Sequence, residues 1–335
     1  MVELRGRALG AFYGLAVGDA LGMPTQFLSR RSVRELFGDT MTGFEPGPAV
    51  NEISAGMPAG RVTDDTEQAV ILAQTLLDGH GTVDQRLLAD RLLSWERQMI
   101  GLGSADLLGP STRRALQALT AGGALDEVGR WGDTNGAAMR ITPVGIAVGA
   151  DPLAKLCFLV AEASRLTHGT GVAVAGACAV AAAVSAGVDG ADRAAVVDIG
   201  VDAAGEGARL GRYMAGADVA TRIGWAVGLV QHACTADALD LLDRLIGTGV
   251  ATQESVPAAF ALVARFGDDP WAACLQAASL GGDSDTIAAM VGAMTGALHG
   301  VDAFPAEVIA VIDDVNRLGL TSLVDGLLRL RKASG

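Results

Sequence analysis

The sequence predicts an all-α protein that folds as a single compact helical domain over residues 1–335, with residues 331–335 as a frayed tail. Apolar residues recur at helical spacing almost throughout the chain, whereas the alternation typical of a half-buried strand is nearly absent. Hydrophobic residues make up 50% of the chain but aromatic residues only 4%, and there are 45 glycines. Such a composition is typical of helices that pack closely through small side chains.

The predicted helices follow one another with short connections, except in one place. Residues 38–62 are irregular and rich in Gly and Pro, and a loop of this length in a helical domain is usually functional or mobile. The segments with helical spacing, bounded to within about two to four residues, are 4–17, 64–78, 84–99, 111–120, 136–149, 152–166, 170–187, 190–209, 217–233, 235–246, 254–265, 269–279, 284–298, 304–317 and 320–332.

One predicted helix is apolar enough to suggest a membrane span. Residues 171–188 carry no charge, but eleven of these eighteen residues are Ala or Gly, which gain little from contact with lipid. We therefore expect a central helix enclosed by other helices, and no membrane partner.

Charge and cysteine content narrow the classes of protein further. The formal net charge of −13 argues against nucleic acid as a partner, because phosphate binding needs a basic surface. The four cysteines form no CxxC pair, so we expect buried thiols in a reducing compartment and no zinc site. The N-terminus superficially resembles a signal peptide, but Glu3 is unusual in a basic leader. Together these features favour a cytoplasmic protein.

The stretch "GRVTDDTEQAVILAQTLL" (60–77) places four oxygen-bearing side chains at the start of a predicted helix. Thr63 or Asp64 can cap this helix, and Asp64 with Glu67 has the spacing of a capping box. Negative charge is also favoured there by the helix dipole. A cap needs only one such side chain, however, so the adjacent Asp65 remains to be explained.

A second stretch, "LGGDSDTIAAMVGAMTGALHG" (280–300), repeats this pattern. Asp283 and Asp285 alternate with hydroxyl residues that end in Thr286, and Gly282 allows backbone conformations closed to other residues. The small residues at 288, 289, 292, 293, 296 and 297 predict a helix that approaches its neighbours closely, so its acidic start should lie deep in the bundle.

Both stretches together suggest a shared metal site. Four carboxylates in a poorly hydrated place cannot all stay ionised alone, and divalent cations would resolve this repulsion. The ligands are hard oxygens without sulfur, which favours Mg²⁺ or Mn²⁺ over Zn²⁺. Two such ions would polarise an oxygen-rich substrate and activate water.

A third polar group lies in "GDTNGAAMRITPVG" (132–145). Asp133, Thr134 and Asn135 precede a predicted helix start at Gly136, whose exposed N–H groups are suited to a phosphate. Arg140 either binds an anion or forms a structural ion pair.

"SRLTHG" (164–169) places His168 at the end of another predicted helix. A histidine there either caps the helix, is exposed, or acts as a catalytic base. The remaining histidines form no ligand spacing.

Read in order, these stretches resemble the ADP-ribosylglycohydrolase family, which includes the dinitrogenase-reductase-activating glycohydrolases and the ADP-ribosyl-acceptor hydrolases. The resemblance spans about 270 residues, and the ordered set of motifs is far more specific than any one of them. The matching pieces are "GLAVGDALGMPTQF" (14–27), "TDDT" (63–66), "NGAAMR" (135–140), "SRLTHG" (164–169) and "GGDSDT" (281–286).

The resemblance implies an all-α fold with a central cleft that holds two Mg²⁺ or Mn²⁺ ions. It also implies hydrolysis of the bond between C1″ of ADP-ribose and an acceptor such as an arginine or serine side chain, by an activated water. The implied metal ligands are Thr63, Asp64, Asp65, Asp283, Asp285 and Thr286, and Asp64, Asp65 and Asp283 are the candidate catalytic residues. The candidate substrate-binding residues are Gln26, Asp133, Asn135, Gly136, Arg140, His168 and Gly282.

The sequence departs from the family pattern at Gln26. Much of the family has a catalytic or metal-binding Glu at this place, and Gln cannot act as a general base near neutral pH. The base is then another group, the substrate differs, or activity is reduced. The alternative bases are Asp64, Asp65, Asp283 and Glu52.

Two other functions therefore stay open. One is hydrolysis of a smaller N-riboside, such as a nucleoside. The other is a non-catalytic ADP-ribose-binding or structural role, as in the crystallin relatives of this family. The sequence indicates neither the acceptor nor the oligomeric state.

Overall fold

The protein is described here by a computed structural model that covers residues 3–101 and 108–334. Within these residues the regular elements are helical, which confirms the all-α prediction and the single compact domain. A π-helical turn spans Leu242–Ile246 and a 3₁₀ turn spans Val301–Ala303. The α-helices are α1 (Leu4–Gly22), α2 (Arg30–Phe37), α3 (Asp64–Asp78), α4 (Gln85–Gly101), α5 (Pro110–Thr120), α6 (Gly136–Met139), α7 (Thr142–Ala147), α8 (Leu153–Ser164), α9 (Gly171–Asp189), α10 (Arg193–Ala208), α11 (Val219–Val230), α12 (Thr235–Leu241), α13 (Thr252–Phe266), α14 (Pro270–Ala278), α15 (Ser284–His299), α16 (Ala306–Asn316) and α17 (Leu320–Ser334).

The structure differs from the predicted helices in three places. Helix α2 was not predicted, because its eight residues include three arginines and only Arg30 and Val33 are buried. The predicted helix 136–149 is divided into α6 and α7, because Pro143 has no N–H to continue the hydrogen-bond ladder. Residues 331–334 are not a frayed tail, since they belong to α17 and Arg331 donates to the carbonyls of 145, 146 and 148.

Helices α1 and α15 pack backbone against backbone in antiparallel directions. A Cβ on Gly14 would lie 2.1 Å from the carbonyl oxygen of Gly292, and a Cβ on Gly10 would lie 2.2 Å from that of Gly296. At the other end a Cβ on Gly22 would lie 2.4 Å from the Cα of Asp285. Glycine is therefore required along α1, and the contact carries the end of α1 to the acidic start of α15.

Helix α9 forms the centre of the bundle. By length and composition alone it could cross a membrane, but 89% of its apolar window is buried inside the protein. It packs against α8, α10, α13 and α15, which confirms the predicted central helix.

The cysteine prediction is correct for three thiols and wrong for one. Cys157, Cys178 and Cys274 are buried, whereas Cys234 is exposed at the start of α12. The exposed thiol accepts a hydrogen bond from the N–H of Asp237 and so takes the place of a capping side chain.

Candidate active site

A narrow cleft opens where the starts of α3, α6 and α15 meet. Its cavity volume is about 80 Å³. Four carboxylates face it from two helix starts, and it is lined by Leu108 and Gly109 just before α5 and by Pro110 at the first position of α5. The predicted site residues that line the cleft are Gln26, Asp64, Asp65, Asn135, Gly136, Asp283, Asp285 and Thr286.

The start of α3 is held by a buried carboxylate on α1. Asp19 is fully buried, and its two oxygens accept hydrogen bonds from the N–H of Thr63 at 2.9 and 3.0 Å. The same carboxylate accepts the N–H of Thr66 at 3.1 Å and its hydroxyl at 2.5 Å. Sequence reasoning missed Asp19, although an acidic residue inside an apolar helix is rarely buried without partners.

The capping box predicted for α3 does not form. Thr63 is the cap, since its hydroxyl accepts the N–H of Asp65 at 3.4 Å. Glu67 instead bonds outward, accepting from Arg61 at 2.5 Å and from the indole N–H of Trp95 at 2.6 Å. The carboxylate of Glu67 thus ties the end of loop 38–62 to α4.

The start of α15 is held by the backbone. Gly281 and Gly282 have φ angles of +73° and +65°, which favour glycine. The N–H of Gly282 donates to Leu28 at 2.8 Å, and that of Asp283 donates to the carbonyl of Thr248 at 2.6 Å. A Cβ on Gly282 would lie 2.3 Å from the hydroxyl of Thr248. Gly282 therefore shapes the turn and does not line the cleft.

The clustered carboxylates disfavour one another's charge. Burial raises the pKa of Asp283 to about 6. Burial, with the charges of Asp19 and Asp283, raises the pKa of Asp64 well above its usual range. For Asp65 and Asp285 the pKa is also raised well above the usual range, first by burial and then by neighbouring carboxylates. Four negative charges here need an outside partner.

Two buried oxygens in this cluster have no hydrogen-bond partner, namely Oδ1 of Asp65 and Oδ1 of Asp285. The hydroxyl of Thr286 donates to Oδ2 of Asp65 at 3.3 Å and so links the two helix starts. Among the residues that the structure describes, no three His, Cys, Asp or Glu side chains already converge as a ligand group. The fit to a divalent cation rests on the unpartnered oxygens and on the hard-oxygen donor set.

Asn135 and Gly136 line the cleft as predicted, but their surroundings differ from those expected of a phosphate site. The amide of Asn135 donates to the hydroxyl of Ser255 at 2.9 Å and to Oδ2 of Asp283 at 2.5 Å. Helix α6 has only four residues, so it is too short for the predicted phosphate site at its first turn. Asn135 instead fixes the Asp283 side chain.

The other predicted substrate contacts lie outside the lining of the cleft. The Asp133 side chain is 43% exposed, and its nearest cationic nitrogen belongs to Arg114 at 4.0 Å. His168 is fully buried, so it is not exposed, and it does not cap α8, which ends at Ser164 with Arg165 as its C-cap. A Cβ on Gly136 would lie 2.8 Å from the His168 ring. Burial and the neighbouring arginines hold the pKa of His168 well below its usual range.

Arg140 is not placed to bind a ligand anion. It is only 1% exposed, and its guanidinium donates to Oε1 of Gln68 at 2.7 Å and to the hydroxyl of Thr167 at 2.5 Å. Gln68 in turn donates to Oδ2 of Asp64 at 2.9 Å. Sequence reasoning missed both partners, which lie 72 and 27 residues away along the chain.

Gln26 lies at the cleft with its side-chain nitrogen already engaged, donating to the carbonyl of Met23 at 3.1 Å. Its carbonyl oxygen is then the group that can serve a ligand. Asn51 donates to the main-chain oxygen of Gln26 at 2.7 Å, which ties loop 38–62 to this side of the cleft. Glu52 is exposed and does not line the cleft, so it is not placed as a base.

Comparison with known proteins places these features in a wider context. The sequence matches the family described as ADP-ribosylglycohydrolase over residues 1–335. It is 37% identical to YegU, an uncharacterized protein of Escherichia coli, over 97% of both chains. It is 27% identical to the ADP-ribosyl-[dinitrogen reductase] glycohydrolase of Rhodospirillum rubrum, over 97% of this chain and 96% of that one. A solved structure described as an ADP-ribosylglycohydrolase-related protein complex superposes with a TM-score of 0.69 at 28% identity, covering 98% of this chain and 99% of that one.

Proposed function

Because the chain belongs to the ADP-ribosylglycohydrolase family, we propose that it hydrolyses the glycosidic bond between ADP-ribose and an acceptor, such as an arginine side chain of a protein. The observation that carries the proposal is the meeting of two acidic helix starts, whose residues Asp65 and Thr286 are 221 positions apart in sequence.

We propose further that the reaction depends on two Mg²⁺ or Mn²⁺ ions. When bound, such ions polarise substrate hydroxyls and lower the pKa of water. The residues that would hold them are Asp64, Asp65, Asp283, Asp285 and Thr286, with Thr63 beside Asp65. The two unpartnered carboxylate oxygens and the raised pKa values support this assignment.

The side chains around the cleft have separate roles in this proposal. Asp64 and Asp283 each accept a hydrogen bond through one oxygen, from Gln68 and Asn135 respectively. Whichever of these two carboxylates keeps an oxygen free of metal would accept a proton from the attacking water, and Asp65 is a third candidate for this role. The departing acceptor group would take up that proton. Gln26 accepts a hydrogen bond from a sugar hydroxyl but removes no proton. Carboxylates near the anomeric carbon also stabilise its developing positive charge.

The dimensions of the cleft set how the substrate enters. Its volume of about 80 Å³ is below that of most ligand pockets. We expect the enclosed part to receive the reacting end of the sugar, while the rest of the substrate lies toward the rim, where Phe27 is 57% exposed.

A second candidate is hydrolysis of a smaller N-riboside, such as a nucleoside. The small enclosed volume and the presence of Gln26 favour it. Release of ADP-ribose from ADP-ribosyl-arginine and of ribose from nucleosides, each measured with Mg²⁺, Mn²⁺ or EDTA, separates the two. We expect metal-dependent turnover of ADP-ribosyl-arginine. Turnover of neither substrate with metal present would contradict both proposals.

Gln26→Glu tests the assignment of the base. If Gln26 occupies the place of a lost base, the variant should hydrolyse ADP-ribosyl-arginine faster, by about 10-fold or more, as general-base catalysis contributes. The measurement is the initial rate at saturating metal. A slower variant would mean that the amide is suited to this protein's own substrate and that a carboxylate already present is the base.

A further inference from the structure

Arg140 is a buried cation whose hydrogen-bond partners described above are both neutral. The Gln68 amide and the Thr167 hydroxyl accept from it at 2.7 and 2.5 Å. Burial lowers the pKa of Arg140 to about 10, so it remains protonated at neutral pH. A guanidinium can only donate hydrogen bonds. Arg140 therefore determines which atoms of its neighbours act as acceptors. Each neighbour must then donate through its remaining polar atom, which fixes the donor and acceptor roles of the next residue.

The constraint on one side ends at the carboxylate cluster. Gln68 must turn its carbonyl oxygen to Arg140, which places its amide nitrogen 2.9 Å from Oδ2 of Asp64. The order of atoms leaves no freedom to flip the amide, because a flip would set two donors against each other at Arg140.

The constraint on the other side passes through a histidine. Because the hydroxyl of Thr167 accepts from Arg140, its own hydrogen needs an acceptor, and Nδ1 of His168 lies 2.7 Å away. The ring must then be neutral with its proton on Nε2, which donates to the hydroxyl oxygen of Thr134 at 3.1 Å. A doubly protonated ring would leave the Thr167 hydrogen without an acceptor in a fully buried place.

Thr134, the last residue in this series of hydrogen bonds, faces the cleft. Thr134 lines it, and since its oxygen accepts from His168, its own hydrogen is free to point elsewhere. Among the residues that the structure describes, the Thr134 hydroxyl makes no hydrogen bond besides the one with His168, so this hydrogen is left for a ligand. The ring of His168 is held in place behind Gly136, where there is no room for a Cβ.

We propose that Arg140 sets the donor and acceptor roles in this buried series of hydrogen bonds. As a result Thr134 acts as a hydrogen-bond donor to an oxygen atom of the substrate, while Gln68 fixes the Asp64 side chain. Arg140, Thr167 and His168 are thus positioning residues that touch no substrate, and Thr134 is a substrate-binding residue. The inference rests on the proposed function for the nature of the ligand, an oxygen-rich sugar or phosphate. The donor and acceptor roles within the series of hydrogen bonds are a property of the protein alone.

The first experiment therefore needs no substrate. The ¹⁵N shifts of His168 in histidine-labelled protein at pH 7.5, assigned by loss of the signals in His168→Asn, report which ring nitrogen carries the proton. We expect a neutral ring protonated on Nε2. Thr167→Ser should keep this state, whereas Thr167→Val should give a mixture of the two neutral forms. A ring protonated on Nδ1, or on both nitrogens, in the wild-type protein would overturn the proposal.

The second experiment measures ADP-ribose binding by calorimetry. Thr134→Val keeps the shape but removes the donor, so the dissociation constant should rise about 3- to 10-fold, as expected for one neutral hydrogen bond. Thr134→Ser should stay within about 2-fold of the wild type. Equal affinity of the valine variant and the wild type would overturn the donor role. Absence of ADP-ribose binding to the wild type would instead contradict the proposed function. The ¹⁵N shifts of His168 would still decide which groups of the hydrogen-bond series donate and which accept.

Discussion

The first turns of α3 and α15 present the same kinds of side chain to the cleft, but different parts of the molecule hold them. The α3 turn is held by a side chain, since Asp19 accepts three donors from Thr63 and Thr66. The α15 turn is held by main-chain hydrogen bonds and by two glycines with positive φ. The two sets of proposed ligands can therefore be disrupted in different ways: one by loss of a charge, the other by addition of a methyl group.

The largest expected effect tests whether the two turns form one site. Asp283→Ala on one side and Asp65→Ala on the other should each weaken Mn²⁺ binding by more than about 100-fold, since each removes a proposed ligand and even outer groups contribute 10- to 100-fold. Titration calorimetry gives affinity and stoichiometry. Asp133→Ala, outside the cleft, is the matched control and should bind as the wild type does. Binding with the affinity and stoichiometry of the wild type in either variant would contradict a shared site.

The next effect is specific to the α15 turn. Gly282→Ala should lower the free energy of unfolding by about 3–5 kcal/mol, because it adds a strained φ to a collision with Thr248. Gly224→Ala is the control, as Gly224 is exposed within α11 with open space around it. That change should stabilise the protein by about 0.5–1 kcal/mol. Urea denaturation measures both, and equal stability of the two variants would contradict the account.

The corresponding effect on the α3 turn depends on charge. Burial raises the pKa of Asp19 to about 6, so at pH 8 the carboxylate is ionised and accepts all its donors. Asp19→Ala leaves them unpaired and should cost about 2–4 kcal/mol, whereas Asp19→Asn keeps one acceptor and should cost about 1–2 kcal/mol. The exposed Asp90→Asn should change stability by less than about 0.5 kcal/mol. If the alanine and asparagine variants were equally stable, hydrogen bonding would not be the cause.

The smallest expected effect comes from replacing Thr by Val at one residue that supports each turn. Thr66→Val removes a hydroxyl that donates to Asp19 and should cost about 1 kcal/mol. Thr248→Val should lower the free energy of unfolding by less than about 0.5 kcal/mol. The N–H of Asp283 donates to the main-chain oxygen of Thr248, and the substitution leaves that oxygen in place. Thermal unfolding of the two variants at one metal concentration would measure the difference, and a larger loss at Thr248 would reverse the comparison.

The sequence was most informative where a local pattern has one physical cause. Helical spacing predicted the α-class, and the small residues of α15 predicted its close approach to a neighbour. The spacing did not reveal the break at Pro143, because the apolar pattern continues through it. It also did not reveal α2, whose polar residues provide no apolar face.

The site was predictable in its acidic residues and not in what supports them. Asp64, Asp65, Asp283 and Asp285 form unusual local sequences, and the family resemblance implied that they meet. Gln68 takes its role from a partner far along the chain, so no local pattern indicates it. Asp19 also bonds far along the chain, but an acidic residue within an apolar helix is a local signal of a buried, paired carboxylate. Arg140 was wrongly expected at a ligand because the cost of burying its charge is met by two neutral acceptors that spacing cannot reveal.

The contact between α1 and α15 has a consequence for redesign of substrate preference. At the glycine contacts the two helices meet through backbone atoms, so a larger residue at any of these positions would push the helices apart. The contact ends at Asp285, whose position relative to α1 is therefore set by the two backbones. A library aimed at a new acceptor should leave both helices untouched and vary residues that line the cleft from other segments, namely Leu108, Gly109, Pro110 and Val250.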